Sequence, residues 1–327
     1  MSRRVAVVGA GLAGLAAARE LQAGGADVEV FDKGRRPGGR ANTRVHGERR
    51  YDHGAQYFTV RDPAVRPWLQ AWRRMGLVAE WRGRIVHVDD GAVTPAHAAA
   101  RFVAVPGMVN LALHLAHDLQ VRAGVRIETI HRSDGLWTLT DARGETLGPY
   151  RQVVVAVPAP QAVSLLEAAP TLQGKASEAT MEPCWTAMIS FDRPLDLAFD
   201  GAFLRGGAFS WMARNSSKPG RPEEEAWVIH ATPHWTREHW DEDEETVCAL
   251  VLDTLRRDFG LASIPSPVHA RAHRWGYALA SEPVDDILYE PELGLGACGD
   301  WRVGGRVEGA LLSGLEIARR LTLDRRP

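Results

Sequence analysis

Two glycine-rich stretches at opposite ends of the chain have the spacing that phosphate chemistry requires. The first, GAGLAG, places glycines at positions 9, 11 and 14, and the second, GDWRVGGRVEGALLSG, spans residues 299 to 314. In a GxGxxG turn the first glycine permits a tight bend. The second lets backbone N–H groups approach a pyrophosphate, and the third lets helix and strand pack closely with the helix's positive end facing the anion. Gly9, Gly11 and Gly14, with Leu12 and Ala13 between them, are therefore candidate phosphate ligands. Asp32 lies 18 residues beyond Gly14, where a carboxylate can accept hydrogen bonds from a ribose hydroxyl. GxGxxG alone is compatible with a structural glycine turn; set between a strand and a helix, with the acid in place, it predicts a bound dinucleotide.

Those residues need specific elements to hold them. RVAVVG reads as a short buried strand, LAGLAAARELQAGG as a helix closed by Gly24 and Gly25, and DVEVFD as a second strand ending in Asp32, together a βαβ unit. An alternative reading of Arg3, Arg4 and the apolar run from Val5 to Ala18 is a signal peptide, but Gly9, Gly11 and Gly14 are poor residues for a secretory core and the pattern runs directly into a strand. Residues 63–81 are predicted to be helical, with Trp68, Leu69, Trp72, Met75 and Trp81 as apolar positions. The segment from Val125 to Pro158 reads as a β-meander ending in a buried strand at Val153–Val157, and a closing helix is expected at about Val307 to Leu323. DEDEE at 241–245 reads as a solvated helix start.

The choice between cofactors rests on what lies beyond the βαβ unit. A simple NAD domain has no use for RRPGGR immediately after Asp32, nor for a distant C-terminal strand, turn and helix. FAD in its extended form spans a longer site, so one chain end can hold the AMP half while the other reaches the ribityl chain and flavin. On this reading Gly299 and Asp300 meet a ribityl hydroxyl or the phosphate, while Val307, Glu308 and Gly309 open a helix aimed at the flavin O2 edge. An ordinary turn at GDW is the plain alternative.

Composition narrows the partners. With 45% hydrophobic and 24% charged residues, a formal charge of -2 and 327 residues, the chain is expected to be globular, of two domains, with no global attraction to nucleic acid or an anionic membrane. No run reaches the length of a transmembrane helix. The cysteines, Cys184, Cys248 and Cys298, suit a reducing cytoplasm rather than a disulfide scaffold, and Cys298 is expected to be a buried strand residue rather than a covalent flavin anchor. The pairs His114 and His117, His234 and His239, and His269 and His273 lack the carboxylates of a metal site and are assigned capping or surface roles, so no metal is expected.

FDKGRRPGGR, DHGAQYFTVRD, WMARNSSKP, AHRWGYA and GDWRVGGRVEGALLSG together resemble the bacterial renalases, a branch of the flavin-containing amine-oxidase-like superfamily. The resemblance runs from the first strand to the last helix. It implies a flavoprotein that oxidises the 2- and 6-dihydronicotinamide isomers of NAD(P)H to NAD(P)+, with oxygen becoming hydrogen peroxide. It also implies that Asp32, Lys33, Gly39, Arg40, Ala55 and Gln56 line the FAD path and that the Val125 backbone meets the adenine end. Gly276 departs from the bulkier residue that similar proteins can carry, which puts the pocket wall in doubt.

A dihydropyridine expels hydride with help from its own ring nitrogen, so the protein has only to stack the ring, aim a C–H at flavin N5 and exclude water. Tyr57, Phe58, Trp211, Trp275 and Tyr277 are candidate walls and Gln56, Arg214 and Asn215 candidate orienters, against the alternative that large rings simply fill cores. A true amine oxidase is the first rival; its lysine would have to be Lys33, in the nucleotide turn, or Lys175 or Lys218, both expected in surface loops. A non-catalytic flavin-binding protein is the second. The fold expected is α/β: a discontinuous Rossmann-like FAD-binding domain of residues 1–62, 100–160 and 288–327, with an inserted mixed α/β substrate domain of residues 63–99 and 161–287. The spacing of residues does not fix the oligomeric state.

Overall fold

The computed structural model describes residues 3–97, 99–260, 264–284 and 286–323. The chain opens with β1 (Arg4–Val8), whose apolar residues are buried on both faces, as a central parallel strand demands. It turns at Gly9 into α1 (Leu12–Ala23) and returns as β2 (Asp27–Asp32), parallel to β1. A single 3-10 turn at Gly39–Ala41 leads to a hairpin, β3 (Arg44–His46) and β4 (Arg49–Tyr51).

The helix predicted over 63–81 is shorter than its apolar spacing suggests. It forms α2 (Arg66–Arg74) and stops because Gly76 takes φ +70°, a left-handed turn that ends the helix. The next residues form β5 (Val78–Glu80), so Trp81 enters the core from an extended segment. A hairpin of β6 (Ile85–Asp89) and β7 (Ala92–Pro95) follows, then β8 (Phe102–Ala104), which pairs with β5, and α3 (Val109–Ala116).

Next comes β9 (Gln120–Ala123), which joins β2 in parallel, and the expected meander forms as β10 (Ile127–Ser133), β11 (Leu136–Asp141) and β12 (Thr146–Tyr150). The buried strand after it is β13 (Gln152–Val155). Helices α4 (Ala159–Leu165) and α5 (Pro170–Glu178) pack on the core beneath β13. Then come β14 (Thr180–Phe191), β15 (Gly201–Arg205), β16 (Phe209–Arg214) and β17 (Ala226–Ala231). Two helices follow, α6 (Pro233–Glu238) and α7 (Glu244–Asp258); the acidic run starts α7 as expected, with Asp243 capping the Thr246 N–H at 2.8 Å. The chain closes with β18 (Pro267–Glu282), β19 (Tyr289–Glu290), β20 (Leu295–Ala297) and α8 (Val307–Leu323).

Among the described residues the strands gather into two main sheets. One has the order β19-β20-β13-β1-β2-β9 and draws strands from the beginning, middle and end of the chain. The other has the order β18-β14-β17-β16-β15-β6-β7 and is mostly antiparallel. Helices α6 and α7 cover one face of the second sheet, burying Trp185, Ile229, Met212 and Ala272 with Val247 and Leu255. The other face turns toward the first sheet's helices and loops.

The two ends of the chain are in contact. A Cβ placed on Gly314 of α8 would fall 2.2 Å from the Ala13 carbonyl oxygen and 2.9 Å from the Ala16 Cβ. Only a glycine lets α8 cross α1 at that depth, one turn from the phosphate turn.

Candidate active site

The phosphate turn has the geometry of a cradle. Gly9 takes φ +115° and lies so close to Ala156 that a Cβ would sit 2.5 Å from that carbonyl oxygen, while a Cβ on Gly14 would meet the Gly9 oxygen at 2.0 Å. Gly11 differs: a Cβ there meets nothing within 4 Å. It begins α1 without a side-chain cap, so no side chain takes up the first N–H groups, those of Leu12 and Ala13. The backbone approach at Gly11 thus fits a pyrophosphate rather than a protein partner. Gly39 roofs it, where a Cβ would lie 3.4 Å from the Gly11 Cα.

Asp32 stands at the end of β2 and accepts from the Ala10 N–H and the Gly34 N–H, both at 2.6 Å. Burial raises its pKa, partly offset by those two donors. The Val125 N–H donates to the Asp32 carbonyl at 2.9 Å, placing that backbone beside the end of β2. Lys33 turns away from the cradle and reaches the Gln161 Oε1 at 3.3 Å.

From the other terminus, Asp300 meets Arg40 in a two-pronged pair: Nη2 to Oδ1 at 2.5 Å and Nη1 to Oδ2 at 3.0 Å. Arg40 also donates to the Ala278 carbonyl, and its own carbonyl accepts the Ala55 N–H at 2.8 Å. Gly54 makes that approach possible, since a Cβ there would fall 1.9 Å from the Arg40 oxygen. The Gly299 N–H donates to Ser313 on α8. In the first turn of α8, Val307 is buried and Gly309 lies against Val303, while the Glu308 carboxylate takes the Arg61 and Asp62 N–H groups at 2.5 and 2.8 Å. Glu308 therefore anchors the loop before α2, and the helix's own N–H groups carry any role toward a cofactor. Burial pushes the Cys298 thiol up to about 12, so it packs as a small apolar group.

The second sheet supplies the opposite wall. Directly paired residues share a face, and the registers give one continuous row across five strand pairings: His273, Thr186, His230, Trp211, Phe203 and His87. Trp275, two residues from His273, lies beside Cys184 on the same face, and its Nε1 donates to the His53 carbonyl at 2.9 Å. Tyr277, where the pairing of β18 with β14 shifts register, is exposed. Tyr57 packs against Trp211 and Trp81 at ring separations of 5.4 and 6.1 Å. His230 and Cys184 lie on this face and are only partly exposed.

Two candidates fall elsewhere. Arg214 lies three residues along β16 from Trp211 and so projects from the other face, where it meets Glu225 and the Leu197 carbonyl and lies over Trp227. Phe58 is buried and bridges to Phe102 through both backbone hydrogen bonds, a core position. The His269 and His273 surface assignment is also corrected. His269 stacks on His46 at 4.0 Å, and His273 contacts His53 and Trp275, all beneath the β3–β4 hairpin. Burial, then neighbouring His46 or Arg44, lowers each to about 4. Among the described residues, no three His, Cys, Asp or Glu gather as metal ligands.

The largest correction concerns Lys218. Instead of a surface loop it occupies the interior, its side chain fully buried. Its ammonium donates to Gln56 Oε1 at 2.7 Å, Asn215 Oδ1 at 2.8 Å and Asp52 Oδ2 at 3.3 Å. Arg221 donates to the same Asp52 oxygen at 2.6 Å, and Asp52 Oδ1 accepts from Thr43 and the Met108 N–H. Burial alone would raise Asp52, but the two cations outweigh it and hold the carboxyl down to about 2, while burial pushes Lys218 down to about 8. Asp52, Arg221 and His230 are not singled out from sequence, while Trp81 is read there only as an apolar helix position and Lys218 only as an exposed rival lysine. The one available signal was NSSKPGR, where Asn215 and Lys218 stand three apart in a turn.

The profile of flavin-containing amine oxidoreductases matches residues 89–322, and that of NAD(P)-binding Rossmann-like domains matches residues 7–72. The chain belongs to the flavin-containing amine oxidoreductase family. That family is one of flavin-containing oxidoreductases, and the cofactor of this chain is FAD. The phytoene desaturase (neurosporene-forming) of Rhodobacter capsulatus is 44% identical over 70 residues, 21% of this chain and 13% of that protein. Protoporphyrinogen oxidase 2 of Arabidopsis thaliana is 43% identical over 63 residues, 19% of this chain and 12% of that one. These matches thus span about an eighth of each relative. In fold, the chain is similar to a structure from Exiguobacterium sp. 255-15 assigned as a protoporphyrinogen oxidase, with TM-score 0.81 and 14% identity over 99% of this chain and 100% of that one. Putrescine oxidase with bound putrescine gives TM-score 0.74 and 15% identity over 98% and 99%. Among the described residues no helix is long and apolar enough to cross a membrane.

Proposed function

We propose that the chain is a renalase-like oxidase that takes hydride from the 2- or 6-dihydronicotinamide isomers of NAD(P)H, releasing NAD(P)+, with oxygen as the final acceptor and hydrogen peroxide as its product. Residues 1–62, 100–160 and 288–327 would hold FAD, and residues 63–99 and 161–287 would form the substrate wall. When bound, FAD supplies the hydride acceptor. The chain's residues then have to hold a flat neutral ring and keep water away: Trp211, Tyr57 and Trp275 provide aromatic surface, and Gln56 with His230 provides amide and imidazole groups.

The observation that carries this reading is the charge behind that wall. Asp52 is shared by Lys218 and Arg221, so one buried acid faces two buried cations. A protonated amine would enter against that excess, whereas a neutral dihydropyridine meets no such cost. All three Lys218 N–H groups are engaged by Asp52, Gln56 and Asn215, which leaves none to hold a water at the flavin as an amine-oxidase lysine would.

Anaerobic rapid mixing of the FAD-loaded protein tests the proposal. Dihydronicotinamide isomers should bleach the yellow flavin absorption while putrescine and aromatic amines leave it unchanged. Bleaching by amines alone would install the amine-oxidase reading, and bleaching by neither would favour a non-catalytic flavoprotein.

A further inference from the structure

Gln56 is held on both sides. Its Oε1 receives the Lys218 ammonium at 2.7 Å, and its Nε2 lies 3.3 Å from His230 Nε2. An ammonium can only donate, so the carbonyl end of the amide must face it; the NH2 end must then face the imidazole, whose Nε2 has to accept. His230 is thereby committed to the neutral form with its proton on Nδ1. The His53 backbone lies beside the same imidazole.

We propose that Lys218 is a positioning residue that, by occupying the Gln56 carbonyl, fixes the amide with its N–H groups toward His230 and so selects the His230 tautomer. The rest of the cluster enforces this choice. Asp52 can only accept, and Asn215 is pinned because its Nδ2 donates to the Arg50 carbonyl while its Oδ1 also accepts the Asp52 N–H. Gln56 is thus the one ammonium partner free to reverse. Were Lys218 neutral, its lone pair would need a donor, and only a turned Gln56 amide could supply it; His230 Nε2 would then have to carry the proton. The charged and titratable groups facing Lys218 are Asp52, Arg221 and His230, with the Trp81 ring 5.6 Å from its nitrogen.

The assignment is independent of which substrate the protein takes, because it is read without substrate. The FAD-loaded protein carrying 15N-histidine reports the His230 tautomer directly by NMR, with the signal identified by its loss in His230→Gln. The Nδ1–H form should dominate at neutral pH. Lys218→Met and Gln56→Leu should each lower its ratio to the other tautomer at least tenfold, and the double substitution should add nothing further, since both act through one amide. In the unaltered protein, raising the pH well past about 8, where Lys218 loses its proton, should reverse the tautomer. A folded Lys218→Met that keeps the Nδ1–H form, additive effects in the double variant, or a tautomer that ignores pH would each overturn the proposal; the pH titration decides it if Lys218→Met does not fold.

Discussion

Arg40 and Asp300, 260 residues apart in sequence, close on each other through both guanidinium nitrogens, tying the basic turn after Asp32 to the turn before α8. With Gly314 seated against Ala13, this makes the two glycine-rich stretches parts of one site. The pair is largely buried, with side chains 25% and 13% exposed. Asp300→Asn should lower stability by about 1.5–3 kcal/mol, the range for a hydrogen bond to a charged group, and weaken FAD binding about tenfold or more. Thermal melts and FAD titration of the apoprotein measure the two effects separately.

The glycines of the first turn should not fail alike. Gly14→Ala forces a methyl onto the Gly9 carbonyl and should destabilise the apoprotein itself. Gly11→Ala meets no protein atom within 4 Å. It should leave the apoprotein melt nearly unchanged yet abolish FAD retention, because the added methyl would stand where the pyrophosphate approaches. A Gly11→Ala protein that retains FAD would show that the cradle is not the phosphate site.

Much of this was readable in advance, for a physical reason. The βαβ unit and α8 are local: their apolar periodicity, glycine punctuation and terminal acid lie within short windows, so Asp32, Gly11 and the Val307–Leu323 helix could be placed from neighbours in sequence. The polar hub was not local. Asp52, Lys218 and His230 come from three separate segments, and a lysine beside Pro219 and Gly220 has every feature of an exposed turn until Asp52 and Gln56 close over it. Arg214 was misjudged for the opposite reason. Its neighbours in sequence include a wall residue, Trp211, but strand alternation sends it to the far face.

That difference of face predicts a split between stability and turnover. Arg214→Ala removes contacts to Glu225 and the Leu197 carbonyl and should cost about 1–3 kcal/mol in stability, with kcat/KM for the hydride donor unchanged within about twofold. Trp211→Leu should instead lower kcat/KM about tenfold or more through lost ring contact. Steady-state kinetics beside melting curves distinguish the two variants.

Buried histidines set the acid limit. Burial and then nearby His273 and Arg44 lower His53 to about 3, and burial with the Lys218 charge lowers His230 to about 4. The unfolded chain takes up these protons from about pH 6.5 downward while the folded protein does not, so stability is full above that value and is lost as the pH falls. Each withheld proton adds about 1.4 kcal/mol per pH unit to the loss between those limits. Asp52, held near 2, contributes stability that persists above about pH 4 and disappears only below it. Melting temperature should therefore fall steeply from about pH 6.5 toward 4.5, and His53→Gln should flatten that slope.

The central claim is that both ends of the chain grip a single extended FAD, and a crystal structure of the FAD-loaded protein tests it most directly. The account predicts the pyrophosphate on the Leu12 and Ala13 N–H groups, with the flavin ring between the Asp300–Gly309 segment and the wall of Gln56, Trp211 and Trp275. A pyrophosphate bound away from α1, or a flavin ring that α8 does not approach, would contradict it.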